Sequence, residues 1–417
     1  MVKQKNHLIE NIFSMVTLRG MEYILAFILV PYLLRILGPT QYGAIAFMQG
    51  IIAYFILVIN YGFNITAPKD IALASKEELP KIFSSYFWGT VFLFMACSFI
   101  FAIGYCVLNI FFNLSLDLPL FFACYMSAIG LVIFPIWFFQ GIQQMRYITI
   151  LNLTGRFVTM GLLFYLIRTP DDYILAAFLQ SCTTVFAGIL SWKVIADNWP
   201  RILQRPLLKD IISVYKKGWQ IFLSSLAVNL YTSSDVVILG VLTDSTVVGY
   251  YSGAEKLINC VRRGIGAVSD AIYPYISQKF NISKKAALYF LRKQLIIYTI
   301  GGIIGGIFIL CLSPVIVPWL LGSKYIPSIV PLRVMSFIPL MVAVSNVLGY
   351  ETMLPLGMQG TYSKILIAAS MLNLTLIIPA IHWGGSAGVA ACALLTETFI
   401  TVVMGWILWK IDLHNIS

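Results

Sequence analysis

Two adjacent arginines lie inside a stretch that is otherwise apolar enough and long enough to cross a membrane. The stretch runs over residues 250–274, with Arg262 and Arg263 near its middle. A charged side chain at the centre of a bilayer costs roughly 2.5–3.5 kcal/mol on insertion scales. A guanidinium stays charged at any relevant pH and binds phosphate through two parallel hydrogen bonds. These residue types therefore point to an anionic, phosphate-bearing ligand.

The charges of this stretch share one side of the helix that it would form. A helix turns about 100° per residue, and at that spacing all the charges fall within an arc of roughly 120°. The remaining side is purely apolar, which is typical of a helix between a polar cavity and lipid or protein. The polar side comprises Glu255, Lys256, Asn259, Arg262, Arg263 and Asp270. We predict that its arginines, its lysine and Asn259 bind the anion.

Other ionisable residues also fall within apolar stretches. Arg19 is a further candidate for binding the anion, and Glu22 lies three residues away, at the spacing of helix neighbours. The acids are candidates either to pair with the arginines or to carry a coupling proton or sodium ion. They are Glu22, Asp235, Glu255, Asp270 and Glu397. Glu351 is expected at the cytoplasmic edge of its span, where it needs no partner.

A purely structural interpretation of the two central arginines also stays open. Arg262 and Arg263 could serve only as partners of buried acids, namely Glu255, Asp270 and Asp235. Polar contacts of this kind hold membrane helices together but contribute little on average. A polar side that continues over several turns favours a hydrated cavity over a single ion pair.

The composition is that of a membrane protein. Of the 417 residues, 59% are hydrophobic and 11% are charged, whereas soluble proteins carry about 25% charged residues. The net charge of +11 is attributed to cytoplasmic loops that face anionic lipid, and no nucleic-acid motif accompanies it. The seven cysteines form no C-x-x-C pair, and no catalytic or nucleotide-binding motif occurs. We therefore expect no enzyme activity, no cofactor and no metal centre.

Twelve apolar runs are long enough to span a bilayer as helices, which takes about 20 residues. Their limits are 11–36, 43–66, 82–112, 118–140, 147–168, 173–195, 211–242, 248–276, 292–322, 326–354, 361–382 and 386–410. Basic residues cluster in cytoplasmic loops, and here the alternate loops contain only Arg35, Arg168 and Lys324. This asymmetry predicts that both termini are cytoplasmic.

A basic stretch after the sixth run divides the chain into two halves. We predict a six-helix bundle over 1–196, a basic cytoplasmic linker over 197–210 and a second six-helix bundle over 211–417. RILGPTQYG, from Arg35, and VILGVLTDSTVVGYY, from Val237, occupy equivalent positions in the halves, which favours an internal duplication. The expected fold is an all-α polytopic membrane protein with two pseudo-symmetric bundles around a central cavity. The repeats would be parallel, because each half has an even number of spans.

Five segments carry a resemblance to a known family. They are PYLLRILGPTQYGAIAF (31–47), NYGFNITAPKDIA (60–72), GVLTDSTVVGYYSGAEKL (240–257), PLRVMSFIPL (331–340) and MLPLGMQGTYSKI (353–365). Together they resemble the Wzx-type O-antigen flippases of the multidrug/oligosaccharidyl-lipid/polysaccharide exporter superfamily. The resemblance implies a substrate that is an undecaprenyl-diphosphate-linked oligosaccharide, turned from the inner to the outer leaflet by ion-coupled alternating access. It also implies that Arg19, Arg262 and Arg263 line a cationic cavity, matched by span and depth.

The same resemblance implies the bacterial cytoplasmic (inner) membrane and, as partners, membrane lipids with the polysaccharide polymerase and chain-length machinery. It leaves open whether the pathway makes O-antigen, capsule or exopolysaccharide. Two other functions are weighed against it. A cation-coupled multidrug exporter of the superfamily would favour an acidic cavity, and the excess of arginine argues against that. A polytopic O-antigen polymerase or ligase would need a sizeable outer domain, and the predicted outer loops are short.

Overall fold

A computed structural model gives the architecture of residues 2–112 and 117–410. Within these ranges, the description excludes the side chains of 2–19, 22–24, 26, 108–112, 227–228, 230–232, 271, 274 and 281. Over the described residues the regular structure is helical, without a β-strand. The prediction of an all-α protein is confirmed.

Eight helical segments of the described residues are long and apolar enough to cross a membrane. They are Phe27–Leu73, Leu79–Val107, Leu118–Gly141, Met145–Leu166, Pro170–Asn198, Lys284–Leu320, Ser323–Met353 and Gln359–Lys410. A helix needs about 20 residues for one crossing, so the 47 residues of the first segment and the 52 of the last each suffice for two. The prediction of a polytopic membrane protein is confirmed, and the count of twelve crossings stays a prediction.

The chain forms two compact units that exchange segments along the sequence. Unit 1 consists of Met1–Leu29 and Met48–Leu226, and unit 2 of Val30–Phe47 and Ala227–Ser417. The middle of the first helix therefore belongs to unit 2. The division into two six-helix bundles at 196 and 211 concerns membrane crossings and stays a prediction.

Unit 1 is built from the helices of the first half of the chain. They are α1 (Val2–Asn60, shared with unit 2), α2 (Phe63–Leu73), α3 (Leu79–Phe112), α4 (Leu118–Ile133), α5 (Ile136–Gly141), α6 (Met145–Leu166), α7 (Tyr173–Asn198) and the start of α8 (Leu208–Thr232). A single 3₁₀ turn, Pro170–Asp172, precedes α7. Helix α1 is broken at Gly38, whose φ of 74° lies in the left-handed region that glycine adopts without strain.

Aromatic rings form the core that joins α2, α3 and α5. Phe83 and Phe138 are fully buried and meet edge to face, with centroids 5.0 Å apart. Phe63 and Tyr86 meet in the same way at 5.2 Å. Each such pair contributes roughly 0.5–1.5 kcal/mol beyond the area that it buries.

Polar contacts attach the start of α8 to unit 1. Lys217 Nζ lies 2.7 Å from Asp70 Oδ2 on α2, and the Tyr86 hydroxyl donates to the same oxygen at 2.9 Å. Lys81 on α3 lies 3.2 Å from Asp210. Exposed ion pairs contribute little, but the buried Tyr86 donates a hydrogen bond that holds the shared acceptor, Asp70, in place. The contacts explain why α8 begins in unit 1.

Unit 2 is built from the helices of the second half. They are the end of α8, α9 (Ser234–Leu242), α10 (Ser245–Ile282), α11 (Lys284–Leu320), α12 (Ile329–Met335), α13 (Ile338–Ser345) and α14 (Gln359–Lys410). A 3₁₀ segment, Ser323–Ser328, precedes α12, and a π-helical segment, Asn346–Met353, follows α13.

The two similar segments of the halves, which begin at Arg35 and Val237, pack against each other within unit 2. A Cβ added at Gly43 of α1 would overlap the Ser245 carbonyl at the start of α10. A Cβ added at Gly249 would overlap the Pro39 carbonyl in return. Only glycine allows two helix backbones to approach so closely. The shared Gly/Tyr pattern is therefore a close helix crossing, and duplication stays a prediction.

Candidate functional site

Helix α10 carries the predicted polar side, and the structure divides that side into two rows. Glu255, Asn259 and Arg262 line a cavity inside unit 2. Lys256 and Arg263 each follow a residue of this row by one position. One position is about 100° of rotation, so the second row faces a different direction. The charged residues share one side of α10, but the two rows of that side face different surroundings.

The cavity has a volume of about 40 Å³ and lies among α9, α10, α12, α13 and α14. Its polar lining consists of Asp235, Tyr251, Glu255, Asn259, Arg262, Asn373, Thr396 and Glu397. A cavity needs roughly 10–15 Å³ of such volume to hold one water molecule. This one holds a few waters or a small ion, and it is too small for a sugar.

An ion pair between α10 and α14 closes one wall of the cavity. Arg262 Nη2 lies 2.9 Å from Glu397 Oε1, and its Nη1 lies 3.5 Å from Asn259 Oδ1. The side chain of Glu397 is 10% exposed and that of Arg262 31%. The partner of Arg262 is therefore not Glu255, Asp270 or Asp235, because α14 brings a carboxylate to it from 135 residues away. Breaking such a buried pair leaves a charge without a partner, which is costly.

A buried carboxylate, Asp235, forms the opposite wall. The Tyr251 hydroxyl donates to Asp235 Oδ2 at 3.2 Å, while Oδ1 has no hydrogen-bond partner among the described residues. Asn373 Nδ2 faces Thr396 Oγ1 at 3.4 Å, and Asn373 Oδ1 is likewise buried without a partner. Two oxygens that line one small cavity are thus available to a proton, a water molecule or a small cation.

The second row of α10 carries cationic groups outside this cavity. Arg263 is exposed and makes no ion pair within the described part of the chain. Lys256 lies beside Glu255 and near the Tyr42 hydroxyl of α1, in the same unit. Arg262 is neutralised by Glu397, whereas Arg263 makes no ion pair with the described residues.

The remaining predicted residues lie elsewhere. Asp270 is exposed further along α10, where the Tyr350 hydroxyl donates to Oδ1 at 3.4 Å and the Tyr350 ring stacks on Tyr273. Arg19 and Glu22 lie in α1, and their side chains fall outside the described residues. The cavity brings together Asp235, Glu255, Asn259, Arg262 and Glu397.

Sequence reasoning missed two polar residues of the cavity, both on α14. Asn373 interrupts an apolar run and is 1% exposed, and Thr396 directly precedes Glu397. A polar residue inside a membrane span is costly and usually has a function, so Asn373 in its apolar run was itself the signal. The prediction omitted Asn373 because its side chain is neutral.

A helical, polytopic chain with ionisable groups buried in its interior belongs to the class of membrane transporters, where such groups mark ligand or ion paths. The model of a family described as polysaccharide biosynthesis proteins matches residues 8–280. The chain belongs to this family. It is 30% identical over 403 residues to a "Putative O-antigen transporter" of Escherichia coli (strain K12), which covers 94% of this chain and 95% of that protein. A protein of the same name from Shigella dysenteriae is 27% identical over 398 residues, which is 95% of this chain and 98% of that protein.

Solved structures with the same fold are transporters. A lipid II flippase, MurJ, in an inward closed conformation matches with a TM-score of 0.77 and 13% identity, over 95% of this chain and 87% of that one. An inward-facing multidrug resistance transporter of the MATE family matches with a TM-score of 0.74 and 13% identity, over 94% of each chain. At these identities the matches establish the fold alone, and they confirm that it is the fold of the MOP superfamily.

Proposed function

We propose that the protein is a flippase that moves an undecaprenyl-diphosphate-linked oligosaccharide from the inner to the outer leaflet of the bacterial cytoplasmic membrane. The observation that carries the proposal is the 30% identity, over nearly the whole chain, to a protein named as an O-antigen transporter. Ion-coupled alternating access between two six-helix bundles is part of the proposal. The protein is a transporter and not an enzyme.

Arg263 is the residue that we assign to the diphosphate. It is exposed, permanently charged and without an ion pair in the described chain, so it can give both guanidinium hydrogen bonds to a phosphate. Lys256 follows the same row of α10 and adds a second positive charge. Arg262 and Asn259 face the small cavity, and we propose that they contact substrate only when Glu397 releases Arg262. Arg19 joins this set on the family resemblance alone.

The small cavity is where we place the coupling step. Asp235, Glu255 and Glu397 are the acids that line it, and one buried oxygen of Asp235 has no partner among the described residues. A proton or a sodium ion taken up there would neutralise a buried charge. Competition between that ion and Arg262 for the acids would link ion binding to the anion site. Glu22 and Asp270 are proposed for the same role on the sequence pattern alone.

A multidrug exporter is the second candidate, and the similarity to the fold of a MATE transporter is what favours it. A drug exporter for cations needs an acidic surface. The polar side of α10 instead presents Arg263 and Lys256 outside the cavity, while three acids from three different helices, Asp235, Glu255 and Glu397, line it. Membership in a polysaccharide biosynthesis family argues in the same direction.

The test follows the lipid intermediate in cells that lack the protein. We expect lipid-linked repeat units to accumulate on the cytoplasmic leaflet, measured by protection from a glycan-modifying enzyme added outside spheroplasts. Restoring the wild-type protein should move these units to the outer leaflet, where the added enzyme can modify them. Single, unpolymerised units at the cell surface would instead indicate a polymerase, and normal glycan with increased drug sensitivity would indicate an exporter. Partnership with the polymerase and chain-length machinery is proposed from the pathway and is tested by co-purification.

A further inference from the structure

One arginine of unit 2, Arg333, lies in a segment that is long and apolar enough to cross the membrane. It belongs to α12, within the segment Ser323–Met353. Met335, two positions further, lines the small cavity around Arg262. Two positions are about 200° of rotation, so Arg333 points away from that cavity, and its side chain is exposed. Neither the proposed diphosphate site nor the coupling cavity includes it.

The positive charge of Arg333 has no acidic partner among the described residues. The chain contains no aspartate or glutamate between Asp270 and Glu351, so α11, α12 and α13 offer none. Arg333 also forms no ion pair with any described acid that other parts of unit 2 contribute. These acids are Asp235, Asp244, Glu255, Asp270, Glu351 and Glu397. A charge inside a membrane span is costly unless a counter-charge accompanies it.

Glu351 was expected at an exposed edge of its span, and that prediction is wrong. The residue is completely buried in the π-helical segment, where its carboxyl group faces Ser269 of α10 and Gln294 of α11. The helices α10 and α11 cover it. Glu351 therefore does not share the exposed side of α12 with Arg333.

A buried serine on α11 holds the guanidinium of Arg333 in place. Arg333 Nε donates to Ser313 Oγ at 3.0 Å, and Ser313 is fully buried. A guanidinium has five N–H groups, and this bond uses only one of them. The two terminal nitrogens make no hydrogen bond with the described residues. They therefore keep the paired arrangement that binds two phosphate oxygens at once.

The surroundings of Arg333 are those of a lipid-facing surface near the end of a span. Val330, one turn before Arg333 on α12, and Ile326 are both more than half exposed. Trp319 on α11 is 69% exposed and lies six residues beyond Ser313, which is about 9 Å along the helix axis. Tryptophans of membrane spans are enriched at the level of the lipid headgroups. A long basic side chain anchored below that level can extend to the headgroups.

We propose that Arg333, held by Ser313, binds the phosphate of a membrane phospholipid. The lipid supplies the counter-charge that the described chain lacks, and its acyl chains cover the exposed apolar side chains beside Arg333. Phosphatidylglycerol fits best, because its only charge is the negative phosphate. The amine of phosphatidylethanolamine would approach a guanidinium of the same sign. This site is separate from the diphosphate site proposed at Arg263.

The test measures binding of dioleoylphosphatidylglycerol to the purified full-length protein in detergent by native mass spectrometry, without any glycan. Arg333→Ala should weaken the Kd of the most tightly bound lipid about tenfold, because a charge-assisted pair of hydrogen bonds is lost. Arg168→Ala is the matched control, since it removes the charge of an exposed arginine in a loop of unit 1 and should keep the wild-type Kd. Dioleoylglycerol, which has the same chains and no phosphate, should not distinguish the wild type from Arg333→Ala.

Two further variants separate lipid binding from folding. Arg333→Lys keeps the charge without the two-pronged grip, so its Kd should lie between those of the wild type and Arg333→Ala. Ser313→Ala keeps the guanidinium and removes its anchor, and its Kd should also be intermediate. In the same samples, phosphatidylglycerol should raise the Tm of the wild type and of Arg168→Ala but not of Arg333→Ala.

Equal Kd values of the wild type and Arg333→Ala for phosphatidylglycerol overturn the proposal. A wild type that binds dioleoylglycerol as tightly as phosphatidylglycerol overturns it too, because the phosphate is then not recognised. Binding of undecaprenyl diphosphate that depends on Arg333, without such a dependence for phosphatidylglycerol, also overturns it and assigns Arg333 to the transported substrate. The phospholipid results do not depend on whether the protein moves a glycan.

Discussion

At the scale of single residues, α10 uses its two adjacent arginines for different purposes. Arg262 is held by Glu397 at 2.9 Å, and Arg263 is exposed without an ion pair in the described structure. A rotation of about 100° between neighbours separates the two environments. One arginine therefore stabilises unit 2, while we propose that the other binds the ligand. This division leads to opposite expectations for their substitution.

Replacing Arg262 by alanine should destabilise the protein by about 3 kcal/mol, because Glu397 is then left buried without a partner. Adding Glu397→Gln to Arg262→Ala should restore most of this loss, since no charge remains to be buried. Unfolding of the purified variants measures both effects as a double-mutant cycle. A double variant whose destabilisation equals the sum of those of Arg262→Ala and Glu397→Gln would show that the pair is not coupled.

Replacing Arg263 by alanine should change the free energy of unfolding by less than about 0.5 kcal/mol, as for other exposed positions. Surface glycan should nevertheless fall by at least about tenfold, which corresponds to ~1.4 kcal/mol of lost phosphate binding. Arg263→Lys keeps the charge but loses the two-pronged grip, so its display should be intermediate. Glycan is measured at matched protein levels. Full display with Arg263→Ala would remove Arg263 from the substrate site.

At the scale of helices, the largest departure from the sequence prediction is the path of α1. The helix is broken at Gly38, and its middle segment, Val30–Phe47, belongs to unit 2. Arg35 in this segment donates from Nε to the Leu320 carbonyl at 3.1 Å and so caps the end of α11. An apolar run shows where a helix can cross a membrane, but not which other helices it contacts. That choice depends on the glycines at the crossing of α1 and α10.

Gly43→Ala and Gly249→Ala should each destabilise the protein by about 1–3 kcal/mol, the range for overpacking a close contact. The added Cβ overlaps a backbone carbonyl that cannot rotate away. Gly264→Ala is the control on the same helix α10, because a Cβ there meets nothing within 4 Å. It should be neutral or stabilise by up to about 1 kcal/mol, since alanine favours helix. Equal effects at Gly249 and Gly264, measured by thermal unfolding, would contradict the close crossing.

At the scale of the whole molecule, charge along the sequence predicts how the chain lies in the membrane. The segment after α7 is rich in basic residues and should be cytoplasmic, as should both termini. The turn before α7 contains Asp171 and Asp172 and should face the outside. The opposite placement of these two segments depends on the single crossing of α7 and not on how many crossings α1 and α14 make.

Cysteine labelling tests the orientation. In a chain whose native cysteines are replaced, Asp171→Cys should react with a membrane-impermeant maleimide added to intact spheroplasts. Arg205→Cys, which is also exposed, should react only after permeabilisation. The two positions control for each other, because both are accessible to solvent in the structure. The reverse pattern would invert the proposed direction of transport.

The class of protein, its helices and the residues to substitute follow from the sequence alone. Apolar runs and positive loops follow from the cost of placing charge in lipid, which each segment incurs on its own. Segments that resemble the flippases led to the family that the comparisons confirm. Glu255, Asn259 and Arg262 line one cavity as predicted, because the polar side of α10 is a local property of its helix.

Which of these residues are neighbours follows from the tertiary structure and not from the sequence. Glu397 reaches Arg262 from 135 residues away, Asn373 joins the same cavity, and Glu351 is buried by two helices that the sequence did not place beside it. Periodicity shows which way a side chain points from its own helix. It does not show what lies opposite, and the energy of a buried charge depends on that partner.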